Sequence, residues 1–103
     1  MTVLVTGACG RVGTALTEYL DDGFNIRCFD RRDHPACPTT VGDVADYPSL
    51  ASAVDGVDAL VHLAAASRVE APWPDVLTSN IVGGYNALEA ARRHEVERVV
   101  LAS

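Results

Sequence analysis

Short apolar runs alternate along the chain with longer segments of helical periodicity. Five runs have the length and composition of β-strands, at 2–6, 25–30, 39–41, 58–64 and 98–102. This alternation predicts βαβ units and a parallel sheet. We expect an α/β fold of the Rossmann-type doubly wound class, with the strands in order 3-2-1-4-5 and the whole chain, 1–103, in one domain.

Two helices are predicted from apolar spacing and from the residues at their ends. The first spans 11–22 and precedes Gly23, which suits the left-handed position after a helix. Its predicted inward residues are Val12, Ala15, Leu16, Tyr19 and Leu20. The second follows Asp46, has Pro48 in its first turn, and is predicted to bury Leu50, Ala53 and Val54. The polar segment 31–38 is too short for a crossover helix and is predicted to be a loop.

A third, longer helix is predicted over 73–94. Its predicted inward stripe comprises Val76, Leu77, Ile81, Gly84, Leu88 and Ala91. Asn80 falls inside this stripe, so we expect a buried amide with a hydrogen-bond partner, since an unpaired one costs about 1–3 kcal/mol. Two interpretations stay open for it: a structural amide, or a group that anchors backbone beside an active site.

Charge, the first apolar run and the cysteine spacing bear on the partners, location and metal content of the protein. The net charge of −6 argues against nucleic acid, because phosphate binding needs a basic surface. The first apolar run is too short to cross a bilayer and does not resemble a signal peptide, so a cytoplasmic location is expected. Cys9, Cys28 and Cys37 lack the spacing of a zinc site. We expect reduced thiols and no metal.

Three glycines directly follow the first strand, at Gly7, Gly10 and Gly13. In a nucleotide-binding turn, the first permits the tight bend, the second lets a pyrophosphate approach the backbone, and the third lets the helix pack closely on the sheet. The helix start offers N–H groups and a partial positive charge to phosphates. A tight turn without a ligand is the alternative. Asp30, at the end of the second strand, argues against a turn without a ligand, because a carboxylate there can bind the adenosine ribose.

The residues after the second strand bear on the choice of cofactor. Asp30 favours NAD, since a carboxylate repels the 2′-phosphate of NADP. Arg31 and Arg32 come next, and an arginine at this place can accommodate that phosphate. The other interpretation of the pair is a solvated loop. NAD is the predicted cofactor and NADP the less favoured one.

Two further strand ends carry candidate cofactor contacts. Asp43 and Val44 follow the third strand, where a side chain can reach an adenine edge, although Asp43 could equally be a turn residue. The fourth strand closes with Leu63, Ala64 and Ala65. These would let a cofactor lie against backbone. His62 is predicted to be a packed strand residue and not a catalyst.

In these features the chain resembles the extended short-chain dehydrogenase/reductases, the NAD-dependent epimerase/dehydratase superfamily. The matching parts are the GxxGxxG turn, Asp30, Asp43 with Val44, and the segments 62–65, 80–83, 86–91 and 98–103. The segment 69–73 is most similar to uronate dehydrogenases and haloarchaeal NAD-dependent sugar dehydrogenases. The resemblance covers the N-terminal part of the family fold, and we expect the C-terminal part to be missing.

The resemblance implies roles for the matched residues. Arg11 and Val12 would contact the pyrophosphate, and Asp30 the ribose. The adenine would lie against Asp43 and Val44, the cofactor channel against Leu63, Ala64 and Ala65, and Asn80 beside the site. It further implies a small-molecule sugar substrate and homodimers that pair through the long helix at 73–94.

The family's catalytic Ser-Tyr-Lys set is where the chain departs from the resemblance. The chain has no YxxxK motif and no lysine, yet a tyrosine needs such a cation to lower its pKa from about 10. Ser103 lies at or next to the family serine. We therefore expect the NAD-binding portion of a sugar or sugar-nucleotide dehydrogenase or epimerase, without turnover of its own. The alternative is a stand-alone nucleotide-binding module that senses or scaffolds.

Overall fold

One parallel sheet organises the chain. The structure, a computed structural model, describes residues 1–20, 23–64 and 72–102. The strands are β1 (Thr2–Thr6), β2 (Asn25–Asp30), β3 (Thr39–Val41), β4 (Ala59–His62) and β5 (Arg98–Leu101). Their order is β3-β2-β1-β4-β5, which confirms the predicted topology. The order reverses between β1 and β4, the point where open α/β sheets bind ligands.

Helices cover both faces of this sheet. They are α1 (Arg11–Tyr19), α2 (Tyr47–Val54), α3 (Trp73–Asp75), a π-helical stretch (Val76–Val82) and α4 (Gly83–Arg93). The segment 31–38 contains no helix, as predicted, and Gly23 has a φ of +91°. Among the described residues, no helix combines the length and apolarity needed to cross a membrane.

Successive side chains of β1 point to opposite faces of the sheet, so the core has one part on each face. Leu4 packs with α2 and α4, in a cluster that includes Phe29, Leu50 and Leu60. Val3 and Val5 point the other way, toward the face that carries α1. Full burial of side chains of this size contributes about 1.5–3 kcal/mol each. The predicted inward residues of α2, namely Leu50, Ala53 and Val54, are all buried.

The predicted inward face of α1 is only partly correct, since Leu16 packs against the core but other members of the set do not. Val12 and Tyr19 are 65% and 85% exposed, whereas Gly13 and Thr17 are buried. The close approach of Gly13 to the turn before the helix fixes the rotation of α1. Thr17, one turn later, therefore also faces the sheet, although it is polar.

The third helical segment lies where it is predicted and buries Ala91, but most of its inward face differs from the prediction. Leu77, Ile81 and Leu88 are 39%, 52% and 49% exposed. The buried residues of α4 are Gly83, Asn86, Ala87, Ala90 and Ala91. A π-helical turn contains more residues than an α-helical one, so the inward face shifts along Val76–Val82. Asn80 is exposed. The buried amide is Asn86, whose Nδ2 donates to the Val44 carbonyl oxygen at 2.9 Å.

Two of the three cysteines are bonded to each other, which corrects the expectation of reduced thiols. Cys28 and Cys37 form a disulfide with a Cα–Cα distance of 6.2 Å, and Cys9 is free. Cys28 lies in β2 opposite Thr39 of β3, and its N–H donates to the Pro38 carbonyl oxygen at 2.9 Å. Strand pairing thus brings the two cysteines together, and their sequence spacing gave no sign of it.

Candidate cofactor-binding site

A cleft of about 770 Å³ opens at the carboxyl edge of the sheet, beside the point where the strand order reverses. Its lining residues are Gly7, Cys9, Gly10, Arg11, Val12, Gly13, Asp30, Arg32, Leu63 and Ala64. Most of the predicted site residues therefore meet in one cleft. Cys9 and Arg32 also line it: Cys9 is not among the predicted contacts, and for Arg32 the sequence leaves both a phosphate contact and a solvated loop open.

The glycine turn is shaped by three different steric requirements. Gly7 has a φ of +68°, and a Cβ there would lie 2.7 Å from the Ala64 nitrogen. A Cβ on Gly13 would lie 2.5 Å from the Gly7 carbonyl oxygen. At Gly10, among the described residues, a Cβ would meet only the Gly7 oxygen, at 3.4 Å. Packing within the protein thus demands Gly7 and Gly13, while Gly10 leaves the cleft floor open to a ligand.

The start of α1 gives this floor its electrostatic character. The first N–H groups of an α-helix lack intrahelical acceptors and carry the positive end of the helix dipole. In α1 these groups belong to Arg11, Val12 and Gly13, which line the cleft. Together with the missing Cβ at Gly10, they suit a phosphate group.

Asp30 is held beside the glycine turn by two backbone donors. Its Oδ2 accepts the Cys9 N–H at 2.9 Å, and its Oδ1 accepts the Arg32 N–H at 3.2 Å. The carboxylate is partly buried and lines the cleft. Its position is therefore fixed by the turn and by the loop that follows β2.

The Cys9 thiol lies in the same turn. Burial raises its pKa, the negative charge of Asp30 raises it further, and the Arg32 guanidinium offsets part of this. Its Sγ is 3.4 Å from the Arg32 carbonyl oxygen. A thiol with a raised pKa stays protonated at neutral pH, so Cys9 is a poor nucleophile.

A buried pair, Thr6 and His62, supports the end of β4, where Leu63 and Ala64 line the cleft. Thr6 Oγ1 lies 2.7 Å from His62 Nδ1, and it accepts the N–H groups of Leu63 at 3.1 Å and Ala64 at 3.3 Å. Because the hydroxyl oxygen already accepts twice, its proton goes to an unprotonated Nδ1. Burial lowers the pKa of His62. His62 is thus a packed, neutral strand residue, as predicted.

Asp43 and Val44 lie outside the lining of the cleft. Asp43 Oδ2 is 3.2 Å from Arg31 Nη2, and its Oδ1 accepts the Ala45 N–H at 2.9 Å. The side chain of Val44 is 7% exposed and belongs to the core. Because this side chain is buried, Val44 could contact a cofactor only through its main chain.

The sequence also predicts Asn80, Ala65 and Ser103 at the site. Asn80 is exposed and is not part of the cleft lining. Ala65 and Ser103 lie outside the described residues. The polar ends of strands, as at Thr6, are the signal that would have identified the hydrogen bonds behind the cleft.

The chain is similar to known proteins over nearly its whole length. Residues 3–103 match the model of the NAD dependent epimerase/dehydratase family. It is 38% identical to the NAD-dependent glucose-6-phosphate dehydrogenase of Haloferax volcanii, over 98% of this chain and 42% of that protein. It is 40% identical to the uronate dehydrogenase of Pseudomonas syringae, over 98% of this chain and 38% of that protein.

The chain is also similar to solved structures of dehydrogenases. Uronate dehydrogenase from Agrobacterium tumefaciens, a mutant complexed with NAD, matches with a TM-score of 0.90 at 39% identity, over 99% of this chain and 40% of that one. A short-chain dehydrogenase/reductase superfamily protein from Agrobacterium tumefaciens with bound NAD matches with a TM-score of 0.91 at 36% identity, over 100% of this chain and 32% of that one. The chain thus spans about 40% of the length of several relatives. It belongs to the NAD-dependent epimerase/dehydratase family and contains the NAD-binding portion of that family's fold.

Proposed function

We propose that the cleft binds NAD and that the chain is the cofactor-binding portion of a sugar or sugar-nucleotide dehydrogenase or epimerase. The position of the Asp30 carboxylate supports this most directly. It lies in the cleft, held by the Cys9 N–H of the glycine turn at 2.9 Å. A carboxylate and a glycine-rich helix start in one cleft are the two groups that the ribose and the pyrophosphate need.

The proposed contacts follow the chemistry of each wall. The pyrophosphate would lie on Gly7, Gly10, Arg11, Val12 and Gly13, and the channel would be lined by Leu63, Ala64 and Ala65. Asp30 would accept hydrogen bonds from the adenosine ribose, while Asp43 and the main chain of Val44 would contact the adenine. For Asn80, which is exposed, we propose a cofactor contact beside the site, on the family resemblance alone. When bound, NAD supplies hydride transfer at nicotinamide C4.

Calorimetric titration of the chain with NAD tests the site. Asp30→Ala is expected to weaken NAD binding about 10- to 100-fold, since hydrogen bonds to a charged group contribute about 1.5–3 kcal/mol. Asp55→Ala is the matched control, because Asp55 is 78% exposed and pairs with His94, outside the cleft lining. Equal affinities of the two variants for NAD would contradict the proposed site.

The same chain is proposed to lack turnover by itself. A tyrosine acid/base needs a neighbouring cation, and the chain contains no lysine. Incubation with NAD and a panel of uronates, aldoses and sugar nucleotides should produce no absorbance of reduced cofactor. Reduction of NAD by any of these sugars would refute this part of the proposal.

The second candidate function is a nucleotide-binding module that senses or scaffolds without catalysis, since binding of a dinucleotide in the cleft needs no catalytic residue. The two candidates differ in what accompanies the chain. An in-frame YxxxK motif downstream of Ser103 in the coding sequence would support the dehydrogenase, and a stop codon would support the module.

We propose a homodimer that pairs through the helical segment 73–94. Large apolar side chains exposed along it are Trp73, Leu77, Ile81, Tyr85 and Leu88. Exposed apolar stripes of this kind mark interaction surfaces. Light scattering should show a dimer that Tyr85→Ser dissociates. Tyr19→Ser is the control, since Tyr19 is 85% exposed on α1. A monomer at every concentration would contradict the dimer.

We also propose a cytoplasmic location, and we propose no nucleic-acid partner because a net charge of −6 is unsuited to binding phosphates. Fractionation of cells of the source organism, with the protein detected by mass spectrometry, tests the location. Recovery of the protein outside the cytoplasmic fraction would contradict it.

A further inference from the structure

The two arginines after Asp30 have different surroundings. Arg32 lines the cleft, and its N–H donates to Asp30 Oδ1 at 3.2 Å. Arg31 turns toward β3, where its Nη2 lies 3.2 Å from Asp43 Oδ2. Only Arg32 thus belongs to the lining of the cleft, although both follow the strand end that faces the ribose.

Asp43 is the anchored member of the Arg31 pair. Its Oδ1 accepts the Ala45 N–H at 2.9 Å, and its carbonyl oxygen accepts the Asp46 N–H at 2.9 Å. The next residue, Val44, is buried and bonded to Asn86. Arg31 is 64% exposed and begins the loop between β2 and β3. The position of the guanidinium is therefore set by Asp43.

We propose that Asp43 is a specificity-determining residue for the cofactor, and that it acts through Arg31. By holding the guanidinium at β3, it keeps a positive charge away from the region beside Asp30 where a ribose 2′-phosphate would lie. The cofactor without that phosphate is thereby favoured. This inference rests on the proposed binding of a nicotinamide dinucleotide in the cleft. It adds to a direct contact of Asp43 with adenine, which both dinucleotides would share.

Asp43→Asn tests the inference by the ratio of two affinities. The variant keeps an oxygen for the Ala45 N–H but loses the charge that holds Arg31. If the substitution also removes a contact with adenine, the Kd values for NAD and NADP rise by the same factor, and their ratio does not change. Calorimetry should show the ratio of the NADP Kd to the NAD Kd falling about three- to fivefold, the upper part of the range for an exposed ion pair.

Two further variants separate release of Arg31 from loss of a negative charge. Asp46→Asn removes the same charge from an exposed residue of the same segment and should leave the ratio within about 1.5-fold. In an Arg31→Ala background, Asp43→Asn should no longer lower the ratio. Melting curves of each variant show that it is folded before titration.

The outcomes distinguish this inference from the proposed function. If the unsubstituted chain binds NAD and Asp43→Asn leaves the ratio unchanged, the inference is wrong and the cofactor site stands. An equal fall in the ratio with Ala at position 31 also overturns it, because the effect would then not need Arg31. If the unsubstituted chain binds neither dinucleotide, the proposed site itself fails and the inference fails with it.

Discussion

Two helices of this chain approach the sheet through small residues, but the limits on their approach differ. At α1, a Cβ on Gly13 would lie 2.5 Å from the Gly7 carbonyl oxygen, so not even a methyl group fits. At α4, Ala87 is fully buried while the neighbouring Leu88 is 49% exposed. The first contact is a steric limit that shapes the cofactor turn. The second is an ordinary packed face, whose other side is open for a partner.

The largest difference between these regions should appear on adding one methyl group to each. Gly13→Ala is expected to lower the free energy of unfolding by about 3 kcal/mol, because the new atom meets rigid backbone. Gly84→Ala in α4 should raise it by up to about 1 kcal/mol, since a Cβ there meets no described atom within 4 Å and alanine favours the helix. Urea unfolding of both variants checks this pair. If both substitutions changed the free energy of unfolding by similar amounts in the same direction, the proposed difference between α1 and α4 would be wrong.

The β2–β3 side differs from the α4 side in a second way, because a disulfide secures it. Cys28 and Cys37 are nine positions apart, and a bond that closes a loop of this size stabilises by about 2–3 kcal/mol. A reductant should therefore lower the urea midpoint of the chain. The Cys37→Ser variant should have this lower urea midpoint even without reductant, and adding reductant should not change it. An unchanged midpoint, with thiols titrated as free, would contradict the prediction.

The cleft side should also respond to pH through His62. Burial lowers the pKa of His62 below that of an unfolded histidine, about 6.5. The folded state then binds fewer protons, so the free energy of unfolding falls as pH drops below about 6.5, by at most about 1.4 kcal/mol per unit for this group. The loss stops once pH passes below the folded pKa.

His62→Asn isolates this contribution, because its side-chain oxygen can accept the Thr6 hydroxyl proton but does not titrate. The difference in unfolding free energy between the chain and this variant, measured from pH 8 to pH 5, removes the contributions of His34 and His94. A difference that is constant over this range would show that His62 is protonated equally in both states.

The parts of the fold that the sequence predicted are those that depend on neighbouring residues along the chain. The bounds of β1, β2 and β3 agree with the prediction, and so do the strand order and the place of the glycine turn. Asp30 was predicted at the end of β2 and lies in the cleft. Each of these follows from a local pattern combined with the general rules of parallel sheets.

The misses are features that only three-dimensional packing decides. Apolar spacing placed Val12 and Leu88 inward, but the contact at Gly13 sets the rotation of α1 and the π-helical stretch shifts the face of the last helix. The Cys28–Cys37 bond and the Arg31–Asp43 pair join residues in or next to the neighbouring strands β2 and β3. Nothing in the spacing of a single sequence distinguishes such pairs from solvated residues.

The smallest expected effect tests which face of α4 is packed. Leu88→Gln should change the free energy of unfolding of the monomer by no more than about 0.5 kcal/mol, because Leu88 is half exposed. The same new residue at Ala87 should cost about 1–3 kcal/mol, because it must fit a packed face. If Leu88 also lies in a dimer interface, its effect grows with protein concentration, whereas that of Ala87→Gln does not. Comparable costs at the lowest concentration would show that α4 packs differently from the arrangement described.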